Sequence, residues 1–396
     1  MIWRPFRDFF RTEASSGIIL LASVVTALAW ANLWPDAYES LWRTEIPLSL
    51  GRLLPRESLH MWINEGLMAI FFLVVGLEIK RELLDGELSS RKTAMLPVFA
   101  AVGGMIVPAA IFFVLNAGGT GARGWGIPMA TDIALAIGVL ALLGKRISFG
   151  LKIFLTALAI IDDIGAVIII ALFYTGNISW VPIGIGMALL ILLLVLNRLG
   201  VKPISVYLLF GFALWLALLR SGVHATIAGI LLAIVIPGRS GKDQESPLQL
   251  LERIVEPWAA YLIVPLFALA NAGILLDRNP MESLGDPIGM GVVLGLFFGK
   301  QIGVVLFSWI AVRSRLGSLP PSVSWRQLHG ASCLAGIGFT MSLFITLLAF
   351  QEQSQLTVAK MGVFAGSTIS GIVGLILLAT AGRAPVRNLP QGKTSA

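Results

Sequence analysis

The chain has 396 residues, of which 57% are hydrophobic and only 13% charged, with a formal net charge of +7. An ordinary soluble domain carries about 25% charged residues, so a water-soluble globule is excluded, and a mean hydropathy of +0.87 describes a polytopic membrane protein. The basic surplus does not point to nucleic acid, because it stands in small groups between apolar runs, which is how membrane proteins set their orientation.

In chain order, residues 1–14 place Arg4, Arg7 and Arg11 among Phe6, Phe9 and Phe10. No small-residue cleavage site follows, so this start reads as an uncleaved amphipathic segment at the cytoplasmic surface. Apolar segments follow at about 15–34, 59–79, 94–116, 125–144, 151–174, 181–197, 204–219, 222–236, 254–275, 288–312, 328–350 and 358–381. Each approaches the roughly 20 residues that cross a bilayer, which predicts an all-α polytopic membrane protein with about twelve transmembrane helices in a single domain, 1–396. Tryptophans at 30, 34, 62, 125, 180, 258, 309 and 325 mark many segment ends, as expected where amphipathic rings meet headgroups. Loops are short except 35–58, which reads as an extracytoplasmic hairpin or an irregular loop. The lone Cys333 allows no internal disulfide.

With the N-terminus inside, 21 of the 29 basic residues fall on the inner side and seven on the outer side. This asymmetry predicts both termini, including the tail 382–396, in the cytoplasm. The remaining basic residue, Lys300, lies within the tenth apolar segment.

A charge at the centre of a spanning helix costs roughly 2.5–3.5 kcal/mol on the insertion scale, so each one needs a reason. Asp162 and Asp163 sit near the middle of the fifth segment, Lys300 near the middle of the tenth, and Asp132 follows Thr131 in the fourth. Pro128 and Gly138 flank that Thr-Asp pair, and Gly336 and Gly338 interrupt the eleventh segment. Both patterns predict helices that break within the membrane, although glycine there also suits close helix packing. Segments three to five and ten to twelve are offset by seven, an odd number, so the two triplets run in opposite directions as an inverted repeat. Transporters use that architecture to hold a midplane substrate site. Adjacent helical residues point about 100° apart, so one of Asp162 and Asp163 is expected to pair with Lys300 while the other faces water and binds a hard cation such as Na⁺ or Li⁺.

The segments FFLVVGLEIKREL, MATDIALAIGVLALLG, LKIFLTALAIIDDIGAVIIIALFYT, SGVHATIAGI, PLFALANAG, FFGKQIGV and ASCLAGIGFTMSLFI carry a resemblance over roughly 14–380. The chain resembles the NhaA family of sodium/proton antiporters. That resemblance implies that Asp163 is the main cation ligand and that Asp162 shares the site and pairs with Lys300. It also implies that Asp132 and Thr131 support two crossing broken helices, with Asp132 compensating half-helix N-termini and Lys300 compensating C-termini. A cytoplasmic pH-sensing cluster would map to Glu78, Arg81, Glu82 and Glu252. Here Arg253 and Glu256 stand beside Glu252 where a histidine would be the obvious sensor, and His224 is either a sensor or a structural hydrogen-bonder. The resemblance further implies a bacterial inner-membrane homodimer joined near 43–57, with no cofactor.

The function these readings predict is electrogenic, pH-regulated exchange of Na⁺ or Li⁺ for protons, with cation and protons competing at Asp162/Asp163. The alternative is a sodium-coupled organic-anion symporter of similar architecture, whose substrate carboxylate would sit on half-helix N-termini. A more distant rival is an intramembrane aspartyl protease using Asp132 and Asp163.

Overall fold

In the computed structural model, residues 3–46, 57–176, 178–239, 245–275, 280–321 and 323–381 are described, without the side chains of 3–14, 91–92, 145 and 280–282. The expected tail 382–396 and the tip of the 35–58 segment lie outside this set.

Helix occupies every apolar segment. The long helices are α1 (Trp3–Leu33), α3 (Leu59–Leu84), α4 (Arg91–Asn116), α6 (Phe149–Phe173), α7 (Trp180–Arg198), α10 (Pro247–Asn271), α11 (Pro287–Arg313) and α14 (Gln353–Thr380). Among the described residues, eight helices are thus long and apolar enough to cross a membrane. Two more candidates are bent pairs: the 3-10 segment Thr120–Met129 with α5 (Ile133–Leu142), at 45°, and α12 (Trp325–Leu334) with α13 (Phe339–Ala349), at 46°. The last two segments hold shorter helices, α8 (Ile204–Leu219) and α9 (Ile227–Val235), of 16 and 9 residues. Helix α9 starts late because the preceding SGVHAT stretch commits its polar groups locally: Ser221 Oγ accepts from Val223 N at 3.0 Å and donates to Leu218 O at 2.7 Å. Its last carbonyls are held from outside, Ile234 O and Ile236 O by Lys80 Nζ and Val235 O by Asn197 Nδ2.

In the described part of the 35–58 segment the structure holds a helix that neither the hairpin nor the irregular loop anticipated. Helix α2 (Pro35–Arg43) fills its first part, and a two-residue ladder pairs β1 (Glu45–Ile46) antiparallel with β2 (Glu57–Ser58). Local chemistry sets the other helix starts. Ser246 and Ser324 form reciprocal capping boxes with Gln249 and Gln327 at α10 and α12, and Asp286 accepts from Ile288 N at α11. Such caps satisfy N–H groups that a helix cannot bond itself.

The main apolar core joins α1, α4, α6, α11 and the two bent pairs, while α7, α8 and α9 pack with α3 around smaller clusters. The tryptophans divide accordingly. Trp34, Trp180, Trp258 and Trp309 are more than half exposed, whereas Trp30 packs edge-on against Tyr38 and Trp62 against Trp215. Three helices contain a single π-helical turn, at Trp62–Leu67, Ala259–Ile263 and Gly295–Gly299. The last ends immediately before Lys300, and such turns re-aim the residues that follow them.

Candidate ion-binding site

The two bent pairs meet at their breaks. Asp132 N donates to Ile337 O at 2.6 Å, Thr131 Oγ1 lies 2.8 Å from Ala335 O, and Ser342 Oγ donates to Ile127 O at 2.7 Å. Backbone groups freed by each break are therefore satisfied by the other, the condition under which irregular backbone survives inside a membrane. Glycine makes the packing possible: a Cβ on Gly338 would fall 3.0 Å from Ala130 O of the other pair, and one on Gly336 2.3 Å from Leu296 O of α11. Neither glycine has a positive φ, so glycine is needed there for close packing. Pro128 is the penultimate residue of the 3-10 segment and rests on Gly295, where a Cβ would come within 2.7 Å of the ring.

Asp132 is the staple of the crossing. Its Oδ1 accepts from Leu135 N at 3.1 Å and caps α5. Its Oδ2 accepts from Thr340 N at 3.0 Å and Thr340 Oγ1 at 2.5 Å, at the start of α13. One carboxylate thus serves the positive ends of two half-helices. Ser367 of α14 completes α13 by accepting from Gly338 N and Phe339 N at 3.2 and 3.3 Å.

On α6, Asp162 and Asp163 are both buried and face different partners. Lys300 Nζ, fully buried, donates to Asp162 Oδ2 at 2.5 Å and to Thr131 Oγ1 at 3.0 Å. The Thr131 hydroxyl has one proton and two acceptors in reach, Asp162 Oδ2 at 2.7 Å and Ala335 O at 2.8 Å, so it serves one at a time. Asp162 holds the ammonium, and the Thr131 hydroxyl stands between Lys300 Nζ and Ala335 O at the end of α12.

Asp163 instead lines a cavity of about 80 Å³, shared with Glu78, Thr131, Asp132, Glu252, Glu256 and Thr340 among others. A single water needs about 10–15 Å³ on such a measure, so the cavity admits several waters or a partly hydrated ion. Asp162 Oδ1 and Asp163 Oδ1 are buried without a hydrogen-bond partner among the described residues. Since buried polar atoms are almost always bonded, two such oxygens on adjacent residues fit a hard cation or a proton.

At the far end of the cavity the anticipated cluster assembles. Arg81 reaches Glu252 and Glu82 at 3.3 Å each and Glu78 at 4.0 Å. Glu256 lines the same cavity. His224 is placed elsewhere: Nε2 meets Tyr174 O at 2.9 Å and Nδ1 meets Glu65 Oε1 at 3.3 Å, while Glu65 Oε2 accepts from Ala225 N at 3.0 Å. It tethers the start of α9 to α3 and α6 and does not join the Arg81 cluster.

The Na+/H+ antiporter 1 family model matches residues 7–378. The chain belongs to this family. Among named relatives, the Na(+)/H(+) antiporter NhaA of Tolumonas auensis is 50% identical over 95% of each chain. That of Rhodospirillum rubrum is 49% identical over 96% of this chain and 98% of its own. That of Oleidesulfovibrio alaskensis is 45% identical over 94% of this chain and 93% of its own. Membership, with the eight to ten apolar helices, makes this antiporter-family chain a multi-pass membrane protein.

Three residues of the site, Thr340, Ser367 and the carbonyl-bearing Ala335, and Glu65 beside His224 were missed in the sequence. Only Glu65 carried a signal, an acid inside the apolar run 59–79.

Proposed function

We propose that the chain exchanges Na⁺ or Li⁺ for protons across a bacterial inner membrane by alternating access, with Asp163 as the main cation ligand and Asp162 sharing the site. The observation that carries this reading is the pair of unpartnered buried oxygens, Asp162 Oδ1 and Asp163 Oδ1, with Asp163 lining a water-sized cavity. Oxygen donors suit a hard alkali cation. Cation and protons compete for the same oxygens, so loading one expels the other. Release of Na⁺ leaves the carboxylates free to take up two protons, which makes each cycle electrogenic and lets an interior-negative potential drive Na⁺ outward, at about 2.3 kcal/mol per charge per 100 mV. Segments three to five and ten to twelve act as inverted repeats within twelve spans, and both termini are cytoplasmic. The Arg81 cluster then lies at the inner mouth of the cavity and senses pH, the β1–β2 ladder contributes to a homodimer, and lipids contact the exposed apolar faces.

Two observations favour this reading over its rivals. The N–H groups of Leu135, Gly338, Phe339 and Thr340 already have side-chain acceptors, which removes the donors an organic carboxylate would use. Both oxygens of Asp132 are engaged by helix starts, so it cannot share a proton with Asp163 as a protease dyad must.

The test is purified protein in liposomes, with internal acidity followed as Na⁺, Li⁺ or K⁺ is added at several pH values. Alkali-dependent proton movement is expected. Its absence at every pH, with the protein folded, contradicts the proposal.

A further inference from the structure

Helices α3 and α10 share one seam with two unlike ends. Its inner end borders the cavity with Glu78, Glu252 and Glu256. In the middle, Leu67 and Phe71 pack against Val74, Ala259 and Ile263. The outer end carries His60, Asn64 and the fully buried Asn271, and here three side chains close a ring. Asn271 Nδ2 donates to Phe267 O and to Asn64 Oδ1, at 2.9 Å each. A backbone carbonyl only accepts, so the orientation of the Asn271 amide is fixed, and its Oδ1 faces His60 Nε2 at 2.8 Å. Nε2 therefore carries the imidazole proton and Nδ1 keeps its lone pair. Asn64, with its oxygen turned to Asn271, turns Nδ2 toward the imidazole, 3.3 Å from each ring nitrogen, and only Nδ1 can accept from it. The closed ring thus requires a neutral histidine. Its α10 side is held from behind: Tyr38 Oη donates to Leu269 O at 2.8 Å and accepts from Gly273 N at 3.1 Å, and Asn32 Nδ2 donates to Ile274 O at 2.8 Å. Its α3 side lies on the π-helical turn Trp62–Leu67, where the helical ladder is already irregular.

We propose that His60, Asn64 and Asn271 form a proton-operated latch at the outer end of the α3–α10 seam, shut while His60 is neutral and released when His60 takes up a proton from outside. Imidazolium has no lone pair, so the new Nδ1–H would meet the Asn64 amide donor to donor, and Asn64 would lose its acceptor. Charge acts in the same direction. Among the described residues, the titratable groups around the ring are Lys360 of α14, whose charge acts on His60, Tyr38 of α2, bonded as above, Glu57 of β2, and Glu65 of α3, whose carboxylate is taken by His224 and Ala225 N. No carboxylate among them bonds His60, so an imidazolium would stand against Lys360 uncompensated. Histidine changes charge between about pH 5 and 8, so the shut form is favoured above that range and lost as external pH falls through it. The direction of opening rests on the exchange reading above. The regulatory proton is distinct from those competing at Asp162 and Asp163, and it binds at the opposite end of the seam from the Arg81 cluster.

The test introduces Leu67→Cys, one turn inward of the ring, together with Cys333→Ser, and times the reaction with a membrane-impermeant maleimide applied from outside, over the histidine range of about pH 5 to 8. His60→Gln in the same background is the reference, because a glutamine amide can donate to Asn271 Oδ1 and accept from Asn64 Nδ2 at every pH. The ratio of the two rates cancels the thiol's own titration. It is expected to be near one at the alkaline end and about tenfold at the acid end, the population change that 1.4 kcal/mol, roughly one hydrogen bond, produces. His60→Arg, charged throughout, is expected to label fast at every pH. A ratio that stays near one across the range overturns the proposal, as does a His60→Arg rate equal to that of His60→Gln. Should Leu67→Cys fail to fold, Phe71→Cys on the next turn of the seam is read in the same way. Labelling needs no transport, whereas missing alkali-dependent proton movement by the unmodified chain counts against the exchange reading itself.

Discussion

Asp132 and Asp163 are both buried acids in the same core, yet they live in opposite circumstances. Asp132 receives three hydrogen bonds from the starts of α5 and α13, so both its oxygens are satisfied. Asp163 keeps Oδ1 unpartnered and borders the cavity. A satisfied buried acid holds structure together, while an unsatisfied one is poised to take a ligand. Residue type alone does not separate the two roles; the number of donors around each carboxylate does.

The contrast orders the expected effects of substitution. Asp163→Asn should abolish exchange in liposomes while expression and melting temperature stay close to wild type, because no helix start depends on that side chain. Lys300→Ala should come next, costing on the order of 3–5 kcal/mol where Asp162 is ionised, the range for a buried ion pair that loses one partner. Protonated Asp162 needs no cation, so thermal unfolding should show this deficit shrinking as pH falls. Asp132→Ala leaves three donors unmet at about 1–3 kcal/mol each, so on melting temperature alone it should equal or exceed Lys300→Ala, with Asp132→Asn milder because the amide oxygen still accepts. Ser367→Ala should cost about 0.5–2 kcal/mol as a lost helix cap, leaving the half-saturating Na⁺ concentration unchanged.

The same contrast explains what could be read from the sequence. Charges in apolar runs are expensive, so Asp132, Asp162, Asp163 and Lys300 stood out, and Pro128, Gly336 and Gly338 marked the breaks. The 100° turn between neighbours predicts that one of Asp162 and Asp163 pairs with Lys300 while the other faces water, and which of them pairs was implied by the family resemblance. Thr340 and Ser367 were invisible, because a lone hydroxyl in a membrane helix usually bonds a carbonyl one turn back, as Thr346 does with Ser342 O. Their partners are 208 and 28 to 29 residues away. Helix α9 fell short for a similar reason: hydropathy registers SGVHAT as tolerable, while the bonds of Ser221, His224 and Ala225 hold it outside the helix.

Competition between alkali ion and proton is most directly examined by measuring the Na⁺ affinity of the purified protein as a function of pH. If each bound ion displaces protons from Asp162 and Asp163, the dissociation constant should rise about tenfold per unit of acidification for each proton displaced, and Asp163→Asn should show no Na⁺ binding. A Na⁺ affinity that stays constant across that range, or survives in Asp163→Asn, would contradict the account.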